Sequence, residues 1–238
     1  MSITLPISSD LLSDLSGLRA VLFDLDGTLL DTAPDMVNAL NVLRGEHQLP
    51  AMPYEVVRSA VSHGAARVVR TGFESVGEAE SARLQQRFLQ IYRAALSVHT
   101  RLFPGMQAVL DDLDARGLKY GIITNKAAWL TEPLLEEMQL RSRFACVVSG
   151  DTLAERKPHP LPLLHAAALV GVRPSACVYV GDAQRDVEAA HAAGMPALVA
   201  DYGYLRADED SRSWGGDVYL KEPGDLLLWL RGLDRPAT

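Results

Sequence analysis

The sequence predicts an α/β protein: a Rossmann-like parallel sheet with helices on both faces, interrupted by an inserted all-helical domain. Three observations carry this prediction. Five short apolar runs, Ala20 to Phe23, Tyr120 to Thr124, Cys146 to Ser149, Cys177 to Val180 and Ala197 to Ala200, are each followed by a helix-like segment. Strands alternating with helical stretches imply βαβ units and a parallel sheet. Between Asp31 and Phe103 roughly seventy residues run without a convincing strand, whereas a βα connection normally takes about 2–6 residues. At 238 residues and 48% hydrophobic, the chain holds enough apolar material for one large core with a smaller insert.

Taken in order, residues 1–18 form an N-terminal extension in which Leu11, Leu12, Leu15 and Leu18 make a short apolar pattern. Asp10, Asp14 and the lack of a basic leader argue against a signal peptide. The sheet domain takes residues 19–31 and 103–238, and the helical insert takes 32–102, hinged around Leu30 to Thr32 and Leu102 to Gly105. Candidate helices of the insert run Pro34 to His47, Tyr54 to Val61, Ala65 to Phe73 and Glu78 to Ser97. Pro34 suits a first helical turn, and Pro50, Pro53 and Gly77 punctuate the rest. Asp31 reads equally as a hinge residue or as the N-cap of the first insert helix.

Charge and cysteine content narrow the function classes. A net charge of −7 without a basic stripe argues against nucleic-acid or anionic-membrane partners. Within the insert eight arginines face six acids, a net of +2, which leaves −9 on the remainder. Cys146 and Cys177 sit in short apolar runs and read as reduced core residues. No apolar stretch reaches about 18 residues, so a cytoplasmic, soluble protein is expected.

The chemistry-bearing residues follow the apolar runs. Open α/β sheets bind ligands beyond the carboxyl ends of their strands. In Phe23-Asp24-Leu25-Asp26-Gly27-Thr28-Leu29 two carboxylates stand where a buried strand ends. Like charges about 4 Å apart cost roughly 4 kcal/mol at an effective dielectric near 20, so the pair requires a cation, and a hard ion such as Mg²⁺ suits oxygen ligands. Thr124-Asn125-Lys126 opens a helix with a hydroxyl and fresh backbone N–H groups for a phosphate oxygen. Arg156-Lys157-Pro158 precedes a helix that begins near Pro160, and Gly181-Asp182-Ala183-Gln184-Arg185-Asp186 follows the fourth run. Asp151 and Glu155 read as parts of a solvated loop.

With these four motifs in order, the chain resembles the haloacid dehalogenase superfamily, specifically its phosphatases with a helical cap inserted after the first motif. The resemblance spans about Arg19 to Leu230 and rests on DLDGT at 24–28, ITN at 123–125, Lys157 and GDAQRD at 181–186. It implies that Asp24 attacks phosphorus to form an aspartyl-phosphate, and that Asp26 protonates the leaving alkoxide and then activates water. It implies Mg²⁺ as cofactor, held by the carboxylates of Asp24 and Asp182 and the backbone carbonyl of Asp26, with Asp186 orienting that arrangement from behind. Lys157, Thr124 and Asn125 would bind the phosphoryl oxygens. An acid at position 26 favours phosphomonoester chemistry over dehalogenase or phosphonatase relatives, although a phosphomutase of a sugar phosphate would keep it too. A relative that binds phosphate without turnover would lack a motif, and none is lacking.

Substrate choice falls to the insert, where Ser62-His63-Gly64-Ala65-Ala66-Arg67 lies at a helix start, and His63 and Arg67 are expected to face the non-phosphate end. Beyond the motifs the chain is similar to phosphoglycolate phosphatases. It is more similar still to N-acetylmuramic acid 6-phosphate phosphatases, through Tyr202-Gly203-Tyr204 and Trp214-Gly215-Gly216-Asp217. The implied partner is a small phosphorylated metabolite, met by a monomer or homodimer.

Overall fold

The computed structural model describes residues 17–206 and 208–233. Its core is a six-stranded parallel sheet in the order β5-β4-β1-β6-β7-β8, built from β1 (Ala20–Phe23), β4 (Lys119–Ile123), β5 (Cys146–Val148), β6 (Cys177–Gly181), β7 (Ala197–Ala200) and β8 (Val218–Leu220). All four residues of β1 are buried, because β1 has a parallel partner on each side and helices over each face. A strand in that position reads as a continuous apolar run.

Alternation along each strand divides the core in two. Val21, Phe23, Ile122, Val178 and Val180 face one layer with the fully buried Trp229. Ala20, Leu22, Ile123, Tyr179 and both cysteines face the other. The first layer is covered by α5 (Met106–Ala115) and α9 (Gly224–Leu233), the second by α7 (Leu161–Val170) and α8 (Gln184–Ala192).

The register positions the chemistry. Phe23 is aligned with Ile122 on one side and Val180 on the other, and Ile123 with Val148. Asp24, Thr124 and Asp182 therefore leave the sheet at nearly one level. The backbone bonds from Asp24 N–H to the Val180 carbonyl (2.8 Å) and from Thr124 N–H to the Val148 carbonyl (2.9 Å) carry the ladder to that level. From β1 the chain builds outward through β4 and β5, then crosses to β6, so the strand order reverses at β1. That is the switch point where open sheets present a crevice.

Between the short strands β2 (Leu30–Asp31) and β3 (Arg101–Leu102) lie four helices: α1 (Ala33–Glu46), α2 (Tyr54–Arg58), α3 (Ala65–Gly72) and α4 (Glu78–Arg93). β2 and β3 pair antiparallel, Leu30 with Leu102 and Asp31 with Arg101. The buried Asp35 carboxylate of α1 accepts from the backbone N–H groups of His99 and Thr100 and from the Thr100 hydroxyl, which fastens the returning chain to the helix start.

Several elements differ from the sequence expectation. The strand β8 follows a Gly/Asp turn, is three residues long and leaves Tyr219 partly exposed, too little periodicity for a strand signal. The expected helix from Tyr54 to Val61 stops at Arg58 and resumes as a 3₁₀ turn over Val61–His63, closed by Gly64 at φ 82°. Asp31 caps no helix, since its carboxylate accepts from the Tyr204 hydroxyl at 2.7 Å. Asp151 accepts from the backbone N–H of Ala128 at 2.8 Å, at the start of α6 (Ala128–Glu137). Leu11, Leu12 and Leu15 lie outside the described residues. Among the described residues no helix is long and apolar enough to cross a membrane.

Cys146 and Cys177 are free and buried, and burial pushes both thiols up to about 11. The thiolate is the reactive form. Iodoacetamide at pH 8 is expected to leave both unmodified in the native protein and to alkylate both in denaturant; labelling of the folded protein, read by intact mass, contradicts this burial.

Candidate active site

Lys157 is the centre of the site. Its side chain is fully buried, and its Nζ lies 2.9 Å from Asp24 Oδ1 and 2.7 Å from Asp186 Oδ1, with the Tyr179 hydroxyl at 2.7 Å and the Ile123 carbonyl at 2.9 Å. The loop that carries it is clamped by Asn125, whose carboxamide donates to the Lys157 carbonyl (2.9 Å) and accepts from the Lys157 N–H (3.1 Å). Asn125, expected to contact phosphate, is thus engaged with the lysine backbone. Thr124 is buried at the end of β4 and accepts from the Lys126 N–H at 3.1 Å.

Asp24, Asp182 and Asp186 each offer a carboxylate oxygen within 4.8 Å of the others. The Asp26 carboxylate is outside this group. Asp186 also closes the start of α8, accepting from the Ala183 N–H at 3.0 Å. Asp182 accepts through Oδ2 from the Ser62 hydroxyl (2.6 Å) and the Tyr204 N–H (3.0 Å). Its Oδ1 is buried with no hydrogen-bond partner. An orphaned carboxylate oxygen beside two further carboxylates is a hard-donor set that suits a divalent cation.

Burial pushes the Asp182 carboxyl up to about 7, reinforced by the negative charges of Asp24 and Asp186. Burial also raises the Asp24 carboxyl, against the opposing pull of the Lys157 ammonium. Two glycines let Asp182 fit. A Cβ on Gly27, at φ +84°, would stand 2.1 Å from Asp182 Oδ2, and one on Gly203 would stand 2.3 Å from its Cβ.

Asp26 Oδ1 accepts from Lys126 Nζ at 2.7 Å and from the Thr32 hydroxyl at 2.6 Å. Lys126 Nζ also meets the Tyr92 hydroxyl at 3.0 Å, with the ammonium 4.8 Å from the Tyr92 ring centroid. Burial disfavours the charged lysine, but the Asp26 carboxylate outweighs it and the ammonium is held more tightly than in water.

The insert closes over these groups. Arg58 donates to the Gly203 carbonyl at 2.9 Å and lies over the Tyr204 ring, while Arg185 donates to the Ser62 carbonyl at 2.5 Å. Between insert and sheet is a cavity of about 600 Å³ lined by Asp24, Asp26, Thr124, Asn125, Lys126 and Lys157 and also by Ser62, His63, Arg70, Trp129, Arg156 and Arg185. His63 lines it, with burial and the Arg185 charge lowering its imidazole pKa. Arg67 is exposed and does not line it. On α3 the cavity face is formed by Ala66 and Arg70, four residues apart, and Arg67 is one step around the helix from that face.

Sequence reasoning gave no role to Lys126, Tyr92, Ser62, Tyr179, Arg70 or Arg185. Lys126 and Arg185 lie inside motifs and were open to inspection; Tyr92 carries no local signal, being one aromatic on an amphipathic helix. Of the late segments, Tyr202-Gly203-Tyr204 borders Asp182, whereas Gly216 packs against Val199 of β7.

The family model for haloacid dehalogenase-like hydrolases matches residues 21–200. A phosphoglycolate phosphatase of Xanthomonas campestris pv. campestris is 45% identical over 208 residues, 87% of this chain and 94% of that protein. An N-acetylmuramic acid 6-phosphate phosphatase of Pseudomonas putida is 37% identical over 210 residues, 88% of this chain and 94% of that protein. Among solved structures, a protein described as a predicted phosphoglycolate phosphatase from Haemophilus somnus superposes with a TM-score of 0.80 at 26% identity, covering 90% of this chain and 98% of that one.

A carboxyl raised on folding holds a proton that the unfolded chain releases between about pH 4 and pH 7, so stability falls as pH rises through that window. In metal-free protein the melting temperature is expected to fall across this range, and the Asp182→Asn variant to show a shallower fall; equal slopes in the two proteins contradict the assignment.

Proposed function

The chain belongs to the haloacid dehalogenase-like hydrolases, and from that premise we propose that it hydrolyses a small organic phosphomonoester with Asp24 as nucleophile. One observation carries the reading: a buried Lys157 holds Asp24 at the switch point of the sheet, beside an Asp182 carboxylate whose Oδ1 has no partner. Residues 19–31 and 103–238 act as the catalytic domain in this reading, and residues 32–102 as its cap.

Asp24 Oδ1 accepts from the Leu25 N–H and from Lys157, which leaves Oδ2 as the oxygen that attacks. Its bond to phosphorus forms as the ester O–P bond breaks. Asp26 gives the leaving alkoxide a proton and later takes one from the water that cleaves the aspartyl-phosphate. Lys157 and Thr124 hold phosphoryl oxygens, and positioning with charge neutralisation is most of what phosphoryl transfer requires. Mg²⁺ fits the carboxylates of Asp24 and Asp182 with the Asp26 carbonyl, and supplies positive charge at the phosphoryl oxygens when bound. Asp186 holds Lys157 and the start of α8 in place.

For the substrate, the cavity favours a carboxylated sugar phosphate, N-acetylmuramic acid 6-phosphate. Arg70 and Arg156 line the cavity and suit a carboxylate, and the exposed indole of Trp129 suits a sugar face. A second reading, 2-phosphoglycolate, is supported by the names of relatives at 42–45% identity.

Phosphate release from p-nitrophenyl phosphate is expected to depend on Mg²⁺, and Asp24→Asn to reduce it by at least about 10³-fold and to abolish trapping by BeF₃⁻. Retained turnover in that variant refutes the nucleophile. Steady-state kinetics on both candidates decide the substrate: kcat/KM is expected to be higher for the sugar phosphate, and the reverse order selects phosphoglycolate.

A further inference from the structure

Asp26 is the group whose orientation matters twice in the proposed reaction, and its Oδ1 is held from two directions. The Thr32 hydroxyl reaches it from the hinge, and Lys126 Nζ reaches it from the loop after β4. Lys126 is itself fixed by a residue of the insert, since the Tyr92 hydroxyl lies 3.0 Å from Nζ and the ring lies beneath the ammonium. Tyr92 is buried on α4, and the Lys126 side chain is 5% exposed. Two of the three ammonium hydrogens are thereby directed at protein atoms. With Oδ1 doubly engaged, Oδ2 is the oxygen left to carry a proton.

We propose that Tyr92 and Lys126 are positioning residues for Asp26: the insert, through Tyr92, fixes Lys126, and Lys126 fixes the carboxylate that shuttles the proton. This rests on the reading of Asp26 as acid and base. An insert not seated on the sheet leaves Lys126 with one partner fewer and Asp26 less well aimed, so turnover is tied to closure over substrate. A lysine serving only as a phosphate ligand has no need of a tyrosine of the insert and the shuttle carboxylate as partners.

The leaving group separates these roles. p-Nitrophenolate departs without a proton, whereas an alkoxide requires one, and both routes end in the same water-dependent cleavage of the aspartyl-phosphate. In Mg²⁺-loaded enzyme, Lys126→Met is expected to lower kcat on 2-phosphoglycolate or the sugar phosphate by about 10²-fold with KM changed by less than about 3-fold. On p-nitrophenyl phosphate it is expected to give a burst of about one p-nitrophenolate per enzyme molecule followed by slow turnover, the mark of an accumulating phosphoenzyme. Lys126→Arg is expected to recover much of the activity.

Tyr92→Phe keeps the ring and the packing and removes only the hydroxyl; it is expected to move both readouts the same way by about 3- to 10-fold in kcat. A raised KM with unchanged kcat and no burst in Lys126→Met assigns the lysine to phosphate binding and overturns the proposal, as does wild-type kcat in Tyr92→Phe for the part played by the insert. Asp26→Asn is the control. If that variant also lacks the burst and retains kcat, the reading of Asp26 itself has failed; if it shows the burst and Lys126→Met does not, only the positioning role has failed.

Discussion

A single buried ammonium makes the rest of the site tenable. Asp24, Asp182 and Asp186 bring three carboxylates within 4.8 Å, and Lys157 is placed against two of them with no solvent to dilute the interaction. Each like-charged contact at about 4 Å costs roughly 4 kcal/mol at an intermediate dielectric, so the cluster is held together by Lys157, with the buried Arg185 adding attraction to the same three carboxylates. The lysine is in turn held by two neighbouring parts of the sheet, β4 and β6. Asn125 beyond β4 grips its backbone, the Ile123 carbonyl at the end of β4 accepts from its side chain, and Tyr179 of β6 offers its hydroxyl. Its position is therefore a property of the sheet, not of the loop on which it is written.

This explains how the sequence was legible. Strand ends are marked by a change from apolar to polar residues, and the parallel register converts those marks into spatial neighbours, so the sequence alone marks Asp24, Thr124 and Asp182 as neighbours. Lys157 follows from motif order. What escaped the sequence lies in contacts between elements far apart in the chain. Ser62 meets Asp182 across 120 positions, Arg58 meets Gly203 across 145, and Tyr92 meets Lys126 across 34. No local pattern encodes such pairs. Arg67 and Arg70 make the same point on a smaller scale: roughly 60° apart around α3, one lines the cavity and the other does not, and that difference is set by where the helix docks.

Near the site the insert meets the sheet domain through several polar contacts. The Ser62 hydroxyl meets Asp182, the Ser62 carbonyl accepts from Arg185, the Tyr92 hydroxyl accepts from Lys126 and the Arg58 guanidinium donates to the Gly203 carbonyl. Each of these contacts has a charged partner, and such hydrogen bonds are directional and worth only about 1.5–3 kcal/mol apiece. They define a docked geometry without welding it, which suits an element that must admit and release a ligand.

The paired strands β2 and β3 have an architectural consequence. Because they run antiparallel and in register, the chain leaves the sheet domain and returns to it at one point, with the paired Cα atoms about 5 Å apart. The six-stranded sheet is thus indifferent to the length and topology of what lies between them. A different bundle whose ends meet at the same narrow gate fits the same socket, so the specificity of this scaffold is replaceable by cassette provided the new bundle restores the contacts that Ser62 and Tyr92 make to Asp182 and Lys126.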